Sequence, residues 1–323
     1  MNTAPSNEQA ERSRAAGDVN SLRTLAVIPS GDAVGAEIRG VDLALPVPTD
    51  VQEALRKAWA DHMVLVFRDQ RVNDDQLIGA ADIFGGVQEV GSRKFYFKGG
   101  QGDKDHRVSR HPSITIVSNL DANGNPVKDN GALGSYEVMW HSDNTYLEVP
   151  PAGSMMYSLE IPPPGAGGET SFSNQYLAYE ELPADLKQAI QGKSQRHDSS
   201  RNSAGVLRPG AKLPTSLAEV EGPIHPLVRI HPVTRKPALY LGRQRVWPSN
   251  HIVEMSDEDS QALLAKLWQH ATQDKFAWTH TWQVGDVILW DNRCCMHFRS
   301  EVNAEYRRVM HRTVIKGEPV IAA

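Results

Sequence analysis

His141 and Asp143 stand two residues apart in the stretch MWHSDNTYLEVPP, residues 139–151. On an extended strand, positions i and i+2 share a face, so an imidazole nitrogen and a carboxylate oxygen can reach one ion. That donor pair suits Fe(II), Zn(II) or Mn(II). The pair alone is also what chance puts in a polar turn, and a third ligand is needed to give it meaning. Of the 12 histidines, His297 in DVILWDNRCCMHF is the best placed, since a late strand can lie beside an early one when a double sheet closes. Two His and one carboxylate on one face of a metal form the facial triad of non-haem iron chemistry. Three positions stay open, two for a chelating 2-oxo acid and one for O2.

A second set of residues lies in RRVMHRTVI. Arg308 and Arg312 are four apart, so on a strand they share a face, roughly 13 Å apart along it. Two guanidiniums facing an interior are costly unless each meets an anion. A 2-oxodicarboxylate and an anionic substrate would supply the two anions. Arg307 falls on the opposite face and is expected in solvent.

These side chains need a scaffold of strands. Short strands are expected at 24–28, 36–39, in the apolar run MVLVF, at 113–119, in MMYSLEI and TSFS, at 226–231 and 237–241, and in FAWTHTW, DVILW, CMHF and YRRVMHRTVI. Helical spacing marks DVQEALRKAWADH behind the capping types Thr49 and Asp50, and NDDQLIGAADIFG between Asn73 and Gly85. Further helices are expected near 174–181, 183–191 and 256–271. Many short strands with helices gathered in flanking segments predict an α+β fold, a double-sheet jelly-roll core with α-helices packed outside. Residues 1–22 read as a disordered tail and 23–323 as one domain. Inside it, residues 88–137 form a long polar, lid-like loop, with KFYFKGG a candidate substrate lid.

Composition limits the partners. The chain has 323 residues, 40% hydrophobic and 23% charged, which fits a globular protein. The net charge of −5 and the lack of a basic stripe speak against nucleic acid. No apolar run approaches the roughly 20 residues that span a bilayer, and no secretory h-region is visible. The 2 cysteines, Cys294 and Cys295, are adjacent, so they are expected as buried small hydrophobes in a reducing cytoplasm. PPPGAGG matches no phosphate-binding motif. Trp278, Trp282 and Trp290 read as packing residues, and His225, His231, His251 and His311 as structural.

Four ordered blocks then stand out: W-H-S-D-N-T-Y with P-P-A, G-G-E-T, W-x-x-G-D-x-x-x-W-D-N-R-x-x-x-H, and R-R-x-x-H-R. From about residue 25 to the end, the chain resembles the taurine and aryloxyalkanoate dioxygenase family. The resemblance implies a double-stranded β-helix (jelly-roll, cupin-like) core, Fe(II) as metal, 2-oxoglutarate as co-substrate and O2 as oxidant. It implies His141, Asp143 and His297 as iron ligands, Thr170 and Arg308 as the holders of the distal carboxylate of 2-oxoglutarate, and Arg312 as the substrate's anion partner. Asp143 argues against a halogenase, which lacks that carboxylate. The implied reaction decarboxylates 2-oxoglutarate to succinate and CO2 while a substrate C–H bond is hydroxylated, and C–S or C–O cleavage can follow.

The substrate side is less determined. Tyr146 and Glu137 are the candidate pocket residues, and a carboxylate at Glu137 would repel a sulfonate. The texture of SNLDANG and of 271–294 is closer to members that oxidise aryloxyalkanoates and related carboxylates than to the taurine enzyme. A small anionic substrate is expected, with no nucleic-acid or membrane partner, and a homo-oligomer (dimer or tetramer). The rival reading is a jelly-roll metal-binding protein without oxygenase activity, a hydrolase or a small-acid sensor.

Overall fold

A computed structural model describes residues 20–89 and 109–323. A seven-stranded sheet forms its larger layer. In spatial order its strands are β1 (Ala26–Pro29), β2 (Ala36–Arg39), β3 (Val64–Phe67), β14 (Val287–Asp291), β6 (Gly153–Glu160), β16 (Val309–Ile315) and β4 (Thr115–Ser118). All neighbours are antiparallel except β2 and β3. The second layer orders β13 (Ala277–His280), β7 (Thr170–Asn174), β15 (Cys295–Arg299) and β5 (Val138–His141).

Alternation explains why several strands read as unbroken apolar runs. Val64, Val66, Met156, Ile288, Trp290 and Met310 turn to one side and pack with Phe172 and Cys295 of the smaller sheet. Leu65, Phe67, Met155, Tyr157, Val287 and Leu289 turn to the other. There they meet Leu55 and Trp59 of α1 (Thr49–His62) and Leu77 and Ala81 of α2 (Asp74–Asp82). A central strand buried on both faces shows no polar face, which is the texture of MVLVF. The outer side of the smaller sheet, through Met296, packs on α3 (Gln175–Glu180), α4 (Ala184–Ile190) and α5 (Asp257–Ala271).

Two small sheets complete the chain, one of β11 (Pro237–Leu239), β10 (Val228–Ile230) and β17 (Ile321–Ala322). The other joins β12 (Asn250–Ile252), β8 (Ser194–His197) and β9 (Ile224–Pro226).

Two expectations shift. The tail does not reach residue 22, because Asn20 is buried and its amide donates to the carbonyls of Asp42 and Pro46. Helix α1 begins at Thr49 with Pro48 as its cap and no side-chain cap bond, so Thr49 and Asp50 sit inside the first turn. Helix α2 starts as expected, on an Asn73–Gln76 capping box. KFYFKGG lies outside the described residues. Among the described residues, no helix is long and apolar enough to cross a membrane.

Candidate active site

His141 ends β5 and His297 sits mid-strand in β15, and the two are direct cross-strand partners. Their ring centroids are 4.1 Å apart. Asp143 follows two residues past the end of the strand, with Oδ1 3.7 Å from His141 Nε2. The three potential ligand atoms lie within 4.8 Å of one another, and all three residues are buried. Chemistry favours a metal here. His141 Nδ1 faces the Met139 carbonyl oxygen at 2.8 Å, which places the proton on Nδ1 and leaves the Nε2 lone pair for a ligand bond. Asp143 Oδ2 accepts from Ser154 Oγ at 2.7 Å, and Asn292 Nδ2 donates to Ser154 Oγ at 3.1 Å. Oδ1 is thus left on the side of the imidazoles.

Protonation agrees with that role. Burial lowers both imidazoles, His297 well below the ordinary range with His141 as a further cause, so both are neutral at pH 7. Burial opposes ionisation of Asp143, but Arg312, His141 and His297 together hold its carboxyl well below the usual carboxylate range. Neutral imidazoles and an ionised carboxylate are the ligand forms a divalent cation needs.

A second buried group, His231, Asp291 and Cys294, has similar spacing but different chemistry. Arg293 grips Asp291 with two bonds of 2.8 and 2.7 Å. His231 Nδ1 accepts from the backbone N–H of Val233 and Thr234, so Nε2 carries the proton donated to Asp291. No lone pair remains on that ring, and the cluster ties the WDNR turn to its neighbours.

Two cavities meet at the triad. One is lined by His141, His297, Thr170, Trp282, Arg299 and Arg308, with apolar walls from Val117, Leu133, Val138 and Met156. Arg308 is 2% exposed, and its Nε has no hydrogen-bond partner. Burial, then neighbouring Arg299, pushes its guanidinium well below the usual arginine range. Opposite it, Trp282 Nε1 donates to Thr170 Oγ1 at 2.9 Å. Gly168 of the GGET block has φ +90°, and a Cβ there would stand 3.2 Å from Arg308 Nε. Glycine is required for both reasons.

Asp143, Asn144, Arg208, Arg243 and Arg312 line the other cavity; Val117, Leu133, Ser203 and Arg312 belong to both. Arg312 Nη1 donates to both oxygens of Asp143, at 3.2 and 3.1 Å. Arg307, one face over, pairs with exposed Glu160.

The structure therefore brings His141, Asp143, His297, Thr170, Arg308 and Arg312 together. Tyr146 is buried just behind the second cavity, with Arg208 and Arg243 against its ring at 4.5 and 5.3 Å. Glu137 is a correction: it is exposed and lines neither cavity. The β5–β15 register pairs His141 with His297 and Val138 with Arg299, three residues against two. That bulge reverses the face, so Val138 points inward where a regular strand would present Glu137. Trp282 and Trp290, read as packing residues, both line the co-substrate-side cavity. Ser154, Asn292, Arg299, Arg208 and Arg243 were not foreseen. WDNR was a signal for Asn292; Arg299 ends β15, and Arg208 and Arg243 sit in loops whose placement is tertiary.

Two histidines and a carboxylate, set between two layers of sheet beside a buried arginine pocket, define a mononuclear metal site of the facial-triad kind. The family model described as "Taurine catabolism dioxygenase TauD, TfdA family" matches residues 26–314, and the chain belongs to that family. The (S)-phenoxypropionate/alpha-ketoglutarate-dioxygenase of Delftia acidovorans is 30% identical over 92% of this chain and 96% of its own length. The alpha-ketoglutarate-dependent sulfate ester dioxygenase of Pseudomonas putida is 30% identical over 91% and 90%. Among solved structures, AAD-2 in complex with Mn(II) and N-oxalylglycine superposes with a TM-score of 0.74 at 27% identity, covering 92% of this chain and 99% of that one.

Proposed function

We propose that this protein is a 2-oxoglutarate-dependent, Fe(II)-containing dioxygenase that hydroxylates a C–H bond of a small anionic substrate, with release of succinate and CO2. One observation carries the reading: a buried arginine with an unpartnered Nε lies beside Thr170 in a cavity that opens on a two-His, one-Asp triad. A cation so buried calls for an anion. A dicarboxylate with a 2-oxo group at its far end satisfies the arginine and the metal together. The rival, a metal-binding hydrolase or acid sensor, gives Arg308 and Thr170 no task.

In this reading His141, Asp143 and His297 hold the iron, which supplies the positions where 2-oxoglutarate and O2 react. Arg308 and Thr170 fix the distal carboxylate, while Val117, Leu133, Val138 and Met156 keep water from the chain between. Ser154 and Asn292 keep Asp143 turned toward the metal. Arg312 lies where it can touch both Asp143 and a substrate anion, and Tyr146 supports the wall behind.

The relatives' names, phenoxypropionate and sulfate ester among them, support an aryloxyalkanoate, a related carboxylate, a sulfonate or an alkyl sulfate as substrate. The same proposal includes a jelly-roll core, a single domain with 88–137 as a lid-like loop, and a cytoplasmic, homo-oligomeric enzyme (dimer or tetramer). Leu133, which lines both cavities, supports the lid, while Val117 belongs to β4 of the larger sheet.

The test is succinate formation from 2-oxoglutarate with Fe(II), O2 and a panel of small anions. Succinate that rises with one of them, one mole per mole of oxidised product, is expected. Failure of 2-oxoglutarate to bind the iron-loaded protein would favour the rival.

A further inference from the structure

Among the described residues, the substrate-side cavity is lined by Arg208, Arg243 and Arg312 and by one carboxylate, Asp143. Asp143 is already shared between Arg312 and the metal position, so among the described residues Arg243 has no carboxylate of its own. Arg243 is 7% exposed, and its Nε has no hydrogen-bond partner. Its backbone is bridged to His141, and Ser142 N–H donates to the Gly242 carbonyl at 2.8 Å, so the guanidinium is anchored beside the triad. Gly242 permits this approach: at φ +68° a Cβ would lie 2.2 Å from His197 Nδ1.

Asn144 adds a neutral donor to the same wall. It is buried at φ 52°, a left-handed conformation unusual for a residue other than glycine. Its Oδ1 accepts from Tyr146 O–H at 3.1 Å, while Nδ2 has no partner. Arg243, whose Nη1 donates to the Arg201 carbonyl at 3.4 Å, and Asn144 thus line the cavity from two segments, each with one buried donor left without a partner.

We infer that Arg243 and Asn144 form the subsite that selects the substrate, and that it takes an end group carrying two negative charges. The inference rests on the dioxygenase reading and narrows its substrate class. A phosphate monoester or a geminal dicarboxylate has that chemistry. For a benzyl phosphate ester, O2 and 2-oxoglutarate supply the oxidation: the benzylic C–H becomes C–OH, the other oxygen atom enters succinate, and CO2 leaves. The product then breaks its C–O bond to phosphorus, giving benzaldehyde and hydrogen phosphate, the hydroxyl proton passing to phosphate.

The test uses pairs of similar shape and different charge on the iron-loaded full chain at pH 8: benzyl phosphate against benzyl sulfate, and phenoxymalonate against its monomethyl ester. Succinate formation gives kcat/KM, and calorimetry under anaerobic conditions gives Kd. The doubly charged member of at least one pair is expected to lead by roughly 30-fold, the scale of a buried charge left without its partner. Preference in the ester pair alone identifies a tetrahedral dianion, and in the malonate pair alone a dicarboxylate. Arg243→Leu should erase the margin, Arg243→Lys should keep part of it, and Asn144→Gly, which tolerates the backbone conformation, should shrink it. Equal values within both pairs overturn the inference, as does a margin that survives both Arg243→Leu and Asn144→Gly. If no compound yields succinate while calorimetry still shows the charge preference, the dioxygenase reading fails and the subsite stands.

Discussion

Ser154 shows how much of the site lies one step behind the ligands. Its hydroxyl holds Asp143 Oδ2 at 2.7 Å and is itself held by Asn292. Ser154→Ala should leave the fold intact and weaken Fe(II) or Mn(II) binding by about 10–100-fold, the usual effect of losing a partner that orients a metal ligand. Titration of the metal-free protein reads this directly, and unchanged affinity would remove Ser154 from the site. Arg308 tests the other end. Arg308→Ala should raise the 2-oxoglutarate KM by roughly 30-fold or more, while the KM of the primary substrate changes much less. Equal shifts in both would contradict the division between the two cavities. The convergence of His141, Asp143, His297, Thr170 and Arg308 was legible in the sequence because each sits in a short block with fixed spacing. Ser154 was not, since an isolated serine just before MMYSLEI carries no sign of which carboxylate it will meet.

At the level of elements, alternation was a reliable guide wherever strands are regular. Arg308, Met310 and Arg312 share the inner face of β16 and its approach, as their even spacing requires. In β5 alternation is not a guide, because one extra residue between Val138 and His141 turns the strand over. A bulge leaves no mark in an amino-acid sequence that also fits a regular strand. The consequence is testable with two neighbouring positions. Glu137→Ala should leave both KM values within about twofold, in line with the small effects typical of exposed sites. Val138→Asp should abolish 2-oxoglutarate binding by placing a second carboxylate in its cavity. Loss of activity in Glu137→Ala with tolerance of Val138→Asp would mean that the face is assigned backwards. Nothing in the sequence marks Arg208 and Arg243 as neighbours; that they converge on Tyr146 depends on tertiary placement.

For the whole molecule, two packed sheets with helices outside were legible from periodicity and strand count, whereas the small sheet through β8 and β12 was not, its strands being only 4 and 3 residues long. Buried histidines give the fold a pH dependence. Burial, with His225 and Arg243 nearby, holds His197 well below the ordinary imidazole range, and burial also lowers His225 and His280. Their unfolded forms bind protons near pH 6.5 that the native protein does not. The stabilisation is therefore complete above about pH 6.5 and is lost as the pH falls toward the native values, by up to roughly 1.4 kcal/mol per histidine per pH unit. The Tm of the metal-free protein should be flat from pH 8 to 7 and fall below pH 6.5, less steeply in His197→Gln; a Tm that rises on acidification would contradict this. The central claim, one iron held by His141, Asp143 and His297 at the mouth of a 2-oxoglutarate pocket, has a more direct measurement. Anaerobic titration of the Fe(II)-loaded protein with 2-oxoglutarate should produce a weak, saturable visible charge-transfer band. That band should be missing in His141→Ala and Asp143→Ala, and its appearance in both variants would contradict the assignment.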